Sequence, residues 1–322
     1  MTLKSQEINI KKKEDIEIMF IHKLIESIRE KKSVVCMGLD PRMEQTGQIP
    51  EYLKKEFQNV DDIILEFNKT LIDNAGDLIP VVKPQIAFYE KYDALGALKD
   101  TIKYAQKKDL LVVLDSKRND IGSTSQAYAQ TMFESYGADA CTLNAYLGLD
   151  GVKPFLEYEK KGLFVLVKTS NPSSSDFQDL FSVRLDDIPS DQVELEGTSA
   201  RLERNYIHMA RLVAKWGEKL ETKEGFHNLG VVVGATCPSE IRSIRKVAQK
   251  SMFLLPGYGS QGASAYDIKH AFYNSSLGGI VNSSRGIMFA YNSKKYPEEK
   301  FGKAAREEIN DMNLSINKVI GL

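Results

Sequence analysis

LVVLDSKRNDIGST, residues 111–124, contains four consecutive apolar residues followed by a cluster of charged ones. A short apolar run of this kind is typical of a strand buried on both faces in a parallel sheet. Residues two apart on a strand project to the same side, so we expect Asp115 and Lys117 to form an ion pair at the carboxyl end. Asp120 follows where the chain turns into a helix beginning near Ile121, and its carboxylate is within reach of the same lysine.

Two interpretations of this cluster are open from the stretch alone. In the first, a lysine flanked by two carboxylates stays charged and rigidly aimed, as a proton donor to a carbanion must be. In the second, Asp120 only caps the following helix, while Asp115 and Lys117 form a structural ion pair. The position of the stretch among the other strands is needed to decide between them.

Seven further apolar segments alternate with helical patterns along the chain. They cover residues 33–40, 78–85, 138–146, 162–172, 227–236, 251–259 and 277–286. Intervening segments such as 52–76, 89–108, 121–136 and 201–221 repeat apolar residues at helical spacing. Eight strands that alternate with helices favour a closed (β/α)8 TIM barrel over an open doubly wound sheet.

Two segments fall outside this alternation. Residues 1–31 contain an amphipathic helical pattern, and we expect them to form an N-terminal helical extension across one end of a catalytic barrel domain, residues 32–322. Residues 173–198 are rich in serine and acidic residues and show little periodicity. That composition predicts a long surface excursion after the fifth strand.

The composition excludes several classes of protein. The chain has 322 residues, of which 42% are hydrophobic and 27% charged, and its formal net charge is -1, so no basic excess indicates nucleic-acid binding. No window approaches the roughly 18 apolar residues of a membrane span, and the charged start lacks the apolar core of a signal peptide. The widely spaced Cys36, Cys141 and Cys237 indicate free thiols in a reducing compartment. We therefore expect a cytoplasmic protein with no nucleic-acid or membrane partner.

The glycine-rich segment 257–262 formally matches G-x-G-x-x-G. Its late position and the preceding Pro256 argue against a dinucleotide-binding fold. Together with Arg285 in segment 282–286, it is better interpreted as a loop whose amides face an anion, at the usual phosphate site of such barrels. The alternative is a pair of tight turns with a surface arginine. No metal site is expected, because none of the four histidines has a second ligand at helical or strand spacing: His22, His208, His227 and His270.

Polar residues cluster at the carboxyl ends of the predicted strands, the face on which (β/α)8 barrels carry out chemistry. They are Asp40, Lys83, Asp115, Lys117, Lys168, Thr169 and Arg285. This placement favours the catalytic interpretation of the cluster in residues 111–124.

The chain resembles the orotidine 5'-monophosphate decarboxylases over about residues 33–290. The resemblance rests on residues that occur in the same order along the chain: Asp40, Lys83, the run 115–124, Pro256-Gly257 and Arg285. The form D-x-K-R-x-D-I-G-x-T-x-x-A-Y-A is similar to the longer bacterial branch of that family. The resemblance implies conversion of orotidine 5'-monophosphate to uridine 5'-monophosphate, the last step of de novo pyrimidine synthesis, with no cofactor and no metal. The N-terminal helix and the excursion at 173–198 are extra relative to compact members of the family.

The resemblance also implies roles for individual residues. Lys117 would protonate C6 of the pyrimidine as carbon dioxide leaves, and Asp115 would crowd or repel the substrate carboxylate. Lys83 and Asp120 would complete an alternating charge network, with Asp120 and Thr124 reaching into the partner's site of a homodimer. Asp40 would hold the ribose hydroxyls together with Lys83. The other expected substrate-binding residues are Ser170 (or its neighbour Thr169) at the pyrimidine edge, Pro256, and, at the phosphate, Gln261, Ser284, Arg285 and Gly286.

Two other functions are compatible with the sequence. A metal-dependent sugar-phosphate decarboxylase or aldolase of the same suprafamily shares Asp-x-Lys-x-x-Asp. Such an enzyme needs a carboxylate near the end of the second strand to hold magnesium, and that end carries Lys83 here. A non-catalytic barrel that binds a phosphate ligand is the alternative of another class. The intact set of Asp115, Lys117 and Asp120 argues against it.

Overall fold

The computed structural model describes residues 19–44, 48–183, 202–259, 262–273 and 276–322. Its strands are β1 (Val35–Leu39), β2 (Val81–Pro84), β3 (Leu111–Arg118), β4 (Ala140–Leu143), β5 (Gly162–Lys168), β6 (Phe181–Ser182), β7 (Glu203–Arg204), β8 (His227–Val233), β9 (Ser251–Pro256) and β10 (Gly279–Ser283). Eight of them close into a parallel barrel in the order β1-β10-β9-β8-β5-β4-β3-β2. The predicted (β/α)8 barrel is confirmed, and each predicted barrel strand contains the observed one.

Helices surround the barrel. They are α1 (Phe20–Lys31), α2 (Glu51–Glu56), α3 (Val60–Ala75), α4 (Ile86–Lys91), α5 (Leu95–Lys107), α6 (Gly122–Gln130), α7 (Leu149–Leu156), α8 (Asn205–Gly217), α9 (Pro238–Val247), α10 (Ala265–Ile268), α11 (Arg285–Met288), α12 (Ala290–Ser293) and α13 (Phe301–Ile320). Among the described residues, no helix is both long enough and apolar enough to span a membrane.

Two helices predicted as continuous are each divided in two. The segment 52–76 forms α2 and α3, because Asn59 caps α3 by accepting a hydrogen bond from the amide of Asp62 at 2.8 Å. The segment 89–108 forms α4 and α5, and Asp93 between them has a φ of 52°. This left-handed conformation is incompatible with a continuing right-handed helix.

Helix α1 covers the amino-terminal end of the barrel. The Phe20 ring packs edge-on against Phe164, with 6.1 Å between ring centroids. Gly162, the first residue of β5, makes room for this ring, since a Cβ there would come within 2.2 Å of it. The Ile21 amide donates to Asn228 Oδ1 at 3.0 Å. The carboxyl end of the barrel, where the charged residues were predicted, is therefore opposite this helix. Residues 1–18 of the predicted extension lie outside the described residues.

The excursion predicted at residues 173–198 is described only over residues 173–183, and the description resumes beyond it at residue 202. Strands β6 and β7 pair in antiparallel orientation there, with Phe181 opposite Arg204 and Ser182 opposite Glu203. The remainder of the predicted excursion, residues 184–198, lies outside the described part of the chain. The described residues 172–183 return to contact the end of β5, and they bear on the site below.

Candidate active site

Two adjoining cavities lie at the carboxyl end of the barrel strands. One, of about 330 Å³ and here called the polar cavity, is lined by Asp40, Lys83, Asp115, Ser284 and Arg285, among others. The second, of about 260 Å³ and here called the apolar-walled cavity, is lined by Leu166, Val232 and Leu254 and by Lys117, Thr169 and Ser170, among others. Lys83, Asp115 and Pro256 line both, so the two cavities form one continuous cleft.

Asp115 lies between two lysines at the centre of this cleft. Lys83 Nζ is 2.8 Å from Asp115 Oδ2, and Lys117 Nζ is 2.6 Å from Asp115 Oδ1. Thr142 Oγ1 donates a further hydrogen bond to Oδ1 at 2.8 Å. Burial alone would raise the pKa of Asp115, but the charges of Lys83 and Lys117 outweigh it and hold that pKa well below its usual range. Asp115 is therefore an anion held in a fixed orientation.

The two lysines differ in their access to the cleft. Lys83 is 3% exposed, and although burial acts to lower its pKa, the neighbouring charges of Asp115 and Asp40 raise it above the ordinary value. The side chain of Lys117 is 43% exposed. Lys83 thus serves as a fixed positive charge beneath Asp115, whereas Lys117 is the lysine whose ammonium can meet a bound molecule.

The end of β3 departs from regular strand geometry at Lys117. This residue has a φ of 48°, and the pairing of β3 with β4 shifts register between Leu114 and Arg118. The amides of Ser116 and Lys117 both donate to Thr142 Oγ1 at 3.0 Å. A non-glycine residue in the left-handed region costs on the order of 1 kcal/mol, and such residues cluster at functional sites. The expected ion pair between Asp115 and Lys117 is present. Its geometry is set by an irregularity in β3 that the Thr142 side chain stabilises, rather than by regular strand alternation.

Asp40 and Arg42 carry unpaired polar atoms at the polar cavity. Asp40 Oδ1 and Arg42 Nε are buried and have no hydrogen-bond partner in the described part of the chain. The Arg42 guanidinium packs over the Phe88 ring at 5.0 Å. Buried polar atoms cost free energy unless something satisfies them, which points to a polar ligand here. Arg42 was not predicted as a site residue, although its position just after the Asp40-Pro41 strand end is a signal that identifies it.

The far wall of the polar cavity is formed where β10 leads into α11. Ser284 and Arg285 line the cavity there, and Ser284 holds the N-cap position of the helix. Gly38 permits this approach, because a Cβ on Gly38 would lie 1.9 Å from Ser284 Oγ. Gly286 lies in the first turn of α11 and is not among the described residues that line the cavity. Gln261 lies outside the described residues.

Thr169 and Ser170, the two candidates for the residue that reads the edge of the ligand, both line the apolar-walled cavity. Thr169 Oγ1 donates to Asn171 Oδ1 at 2.6 Å and accepts from Gln178 Nε2 at 2.8 Å. Ser170 lies against Gly234, where a Cβ would come within 3.0 Å of the serine Cβ. The hydroxyl of Thr169 is thus bonded within the loop that carries Ser170.

Asp120 and Thr124 lie on the rim, and neither is among the described residues that line the two cavities. Asp120 Oδ1 accepts a hydrogen bond from the adjacent Ile121 amide at 2.8 Å. Within the described residues, the ion pair of Lys117 is with Asp115 and not with Asp120. Ile121, not Asp120, holds the N-cap position of α6. Thr124 is exposed in the first turn of that helix. One chain therefore brings Asp40, Lys83, Asp115 and Lys117 together, without Asp120.

Comparison with known proteins gives concordant matches. A family model described as "Orotidine 5'-phosphate decarboxylase / HUMPS family" matches residues 33–298. The orotidine 5'-phosphate decarboxylase of Petrotoga mobilis is 38% identical over 310 residues, which cover 94% of this chain and 100% of the relative. That of Clostridium kluyveri is 37% identical over 307 residues, covering 94% and 98%. The solved structure of Leishmania donovani OMP decarboxylase is 29% identical, with a TM-score of 0.68, and covers 92% of this chain and 99% of that one.

Proposed function

Since the chain belongs to the orotidine 5'-phosphate decarboxylase / HUMPS family, we infer that it decarboxylates orotidine 5'-monophosphate (OMP) to uridine 5'-monophosphate (UMP), in pyrimidine biosynthesis. The resemblance drawn from the sequence is confirmed at the level of the family. The single observation that favours the decarboxylase within this family is the anionic Asp115 held between Lys83 and Lys117 at the open cleft.

The chemistry follows from the charges in the cleft. Loss of carbon dioxide leaves an electron pair on C6 of a ring that has no adjacent electron sink, so a fixed cation must stabilise the charge as it develops. The Lys117 ammonium, which faces the cleft, supplies that cation and then donates its proton to C6. Asp115 stays anionic and lies beside the place of the substrate carboxylate. Their repulsion is relieved as neutral carbon dioxide departs. The step needs no cofactor.

The two cavities suit the two ends of the substrate. The pyrimidine ring fits between Leu166, Val232 and Leu254 in the apolar-walled cavity, with Ser170 at its polar edge. In the polar cavity, the unpaired Asp40 Oδ1 and Lys83 suit the ribose hydroxyls. We assign the phosphate to Arg285 and Ser284, together with Gln261 and Gly286. Pro256, which lines both cavities, is assigned to the substrate-binding wall of the cleft. Binding energy from this remote phosphate is available to lower the barrier at C6.

Arg285→Ala is expected to weaken UMP binding by about 10- to 100-fold, the loss of one or two charge-assisted hydrogen bonds to phosphate. Uridine, which has no phosphate, is expected to bind wild type and variant alike. Calorimetric titration with both ligands measures this difference. Arg29→Ala removes an exposed arginine from α1 at the opposite end of the barrel and is the matched control. An equal loss of uridine and UMP affinity in Arg285→Ala would show that Arg285 does not read the phosphate.

The function itself is tested by incubating the purified protein with OMP and identifying the products. We expect UMP and carbon dioxide in equal amounts. The metal-dependent sugar-phosphate alternative is disfavoured because Lys83, whose Nζ lies 2.8 Å from Asp115, occupies the strand end where that chemistry needs a carboxylate. That alternative would be established if the protein left OMP unchanged but turned over a β-keto sugar phosphate when Mg²⁺ was added. Tight UMP binding without turnover of either substrate would establish a non-catalytic barrel.

We also propose a homodimer in which Asp120 and Thr124 complete the partner's site. The rim beside them exposes apolar side chains: Ile121 is 57% exposed and Tyr146 73% exposed. Helices α6 and α7 pack together beneath this rim, where Ser125 Oγ donates to the carbonyl of Gly151 at 2.9 Å. Exposed apolar patches of this kind favour an interface. We further place the protein in the cytoplasm, which its three free thiols support.

A mixing experiment tests the shared site. Lys117→Ala and Asp120→Ala homodimers are each expected to be nearly inactive. In a mixed dimer, one of the two sites has an intact Lys117 and an intact Asp120 from the partner. Random exchange at equal amounts should therefore restore about a quarter of wild-type activity. Differently tagged subunits report the exchange, and no recovery despite confirmed exchange would contradict a site built from two chains.

A further inference from the structure

An ion pair between a buried lysine and a partly exposed aspartate lies just outside the cleft at the end of β5. Lys168 is 4% exposed, and its Nζ lies 2.8 and 2.9 Å from the two carboxylate oxygens of Asp179. The same ammonium donates to Ser174 Oγ at 2.9 Å and lies 5.9 Å from the centre of the Tyr206 ring. The last residue of a barrel strand is thereby tied to the described segment 172–183 that follows it.

A second connection lies directly beside this ion pair. The Thr169 amide donates to Gln178 Oε1 at 2.9 Å, and Gln178 Nε2 donates back to Thr169 Oγ1 at 2.8 Å. One glutamine side chain thus satisfies both the backbone and the side chain of Thr169. Lys168, Ser174, Gln178 and Asp179 are called the β5 clasp below.

The loop that the β5 clasp holds is part of the cleft wall. Thr169, Ser170 and Asn171 all line the apolar-walled cavity, whereas no side chain of the clasp is among the described residues that line it. On the other side, the amide of Gly234 donates to the carbonyl of Lys168 at 2.9 Å. The backbone at Gly234 also lies close to Ser170, since a Cβ added at residue 234 would be 3.0 Å from the Ser170 Cβ. The loop is therefore fixed between the clasp and the end of β8.

Stability alone is a poor reason for such an arrangement. Desolvation of the buried Lys168 offsets much of the Coulomb attraction, and solvent at Asp179, whose side chain is 28% exposed, screens the remainder. The net gain in folding free energy is therefore small. A rigid ligand-reading loop, in contrast, needs support that holds it within about 0.5 Å of its working position. The hydrogen bonds of the β5 clasp are made to the backbone amide and hydroxyl of Thr169 and to the ammonium of Lys168. These two residues immediately precede Ser170.

We propose that Gln178 and Asp179 are positioning residues for pyrimidine recognition, holding the loop Thr169-Ser170-Asn171 against the edge of the bound base. Neither touches the substrate, and both act through this loop. The proposal rests on the proposed function, since it assumes that the apolar-walled cavity receives the pyrimidine. It assigns to the segment after β5 a role in specificity for the base and none in binding the phosphate.

Two ligands separate this role from a structural one: UMP, which has the base, and ribose 5-phosphate, which lacks it. We expect Gln178→Met, which keeps the length of the side chain, and Asp179→Asn, which keeps its shape, each to weaken UMP binding by about tenfold. Ribose 5-phosphate affinity should stay within about twofold of wild type. Asp176→Asn removes a carboxylate from an exposed position in the same segment and is the matched control.

The results of these titrations distinguish failure of the positioning role from failure of the proposed function. The positioning role is overturned if folded Gln178→Met and Asp179→Asn bind both ligands more weakly by the same factor, or bind both as tightly as wild type. Ribose 5-phosphate binding itself reports that the remainder of the site is folded. If the wild-type protein binds UMP no more tightly than ribose 5-phosphate, it is instead the placement of the pyrimidine, and with it the proposed function, that fails.

Discussion

Lys117→Ala is expected to lower kcat for OMP by about 10⁴-fold or more, because one substitution removes both the proton donor and the cation that meets the developing charge. Its neighbour cannot substitute for it, since Lys83 is buried on the other side of Asp115. Affinity for UMP should stay within about tenfold of wild type, because phosphate and ribose contacts lie in the polar cavity. Loss of orotate-ring absorbance measures turnover, and titration measures UMP binding.

Lys153→Ala, which removes an exposed lysine from α7, is the matched control and should leave both quantities unchanged. Turnover at the wild-type rate in Lys117→Ala would remove Lys117 from the proton-donor role. Loss of UMP binding as large as the loss of kcat would assign Lys117 a structural role instead.

Asp115→Asn is expected to lower kcat by about 10²- to 10³-fold, the usual effect of removing one preorganised charge from a site. The amide keeps the size of the carboxylate, but it no longer balances the charges of Lys83 and Lys117. Because Lys83 is buried, the variant should also lose about 3–5 kcal/mol of unfolding free energy. Urea unfolding and steady-state kinetics measure the two effects.

The stability lost in Asp115→Asn should depend on pH in a defined direction. The pKa of Asp115 is depressed in the folded protein, so its stabilising effect is complete above the ordinary aspartate pKa of about 4 and is lost as pH falls toward the folded value. The difference in unfolding free energy between wild type and variant should be constant from about pH 7 to pH 5 and should narrow below about pH 4. A difference of the same size at about pH 3.5 and pH 7 would contradict an anionic, paired Asp115.

The barrel and the charged centre of the cleft were predictable for the same reason. Apolar strand runs that end in charge place those charges on one face once the fold is closed, and this alone brings Asp40, Lys83 and Asp115 together. The prediction needed only strand periodicity and the chain order of the strands. It did not need the exact geometry at Lys117, whose φ of 48° depends on Thr142, a residue of the neighbouring strand.

Other features depend on contacts that have no periodic signal. The division of the helices at Asn59 and Asp93 results from local capping and backbone conformation within an otherwise helical pattern. The pairing of Lys168 with Asp179 joins a strand end to a segment without periodicity. The role proposed for Asp120 requires a second chain, and the pattern of a single sequence contains no geometry for such a contact.

The most direct measurement of the central claim is the rate of OMP decarboxylation by chelator-treated enzyme, with wild type and Lys117→Ala assayed side by side. The charge network of Asp115, Lys83 and Lys117 predicts that wild type loses orotate-ring absorbance at the same rate before and after chelation, and that the variant shows no loss above background. Turnover that stops on chelation and returns with Mg²⁺, or persists in the variant, would contradict decarboxylation driven by the Lys117 ammonium.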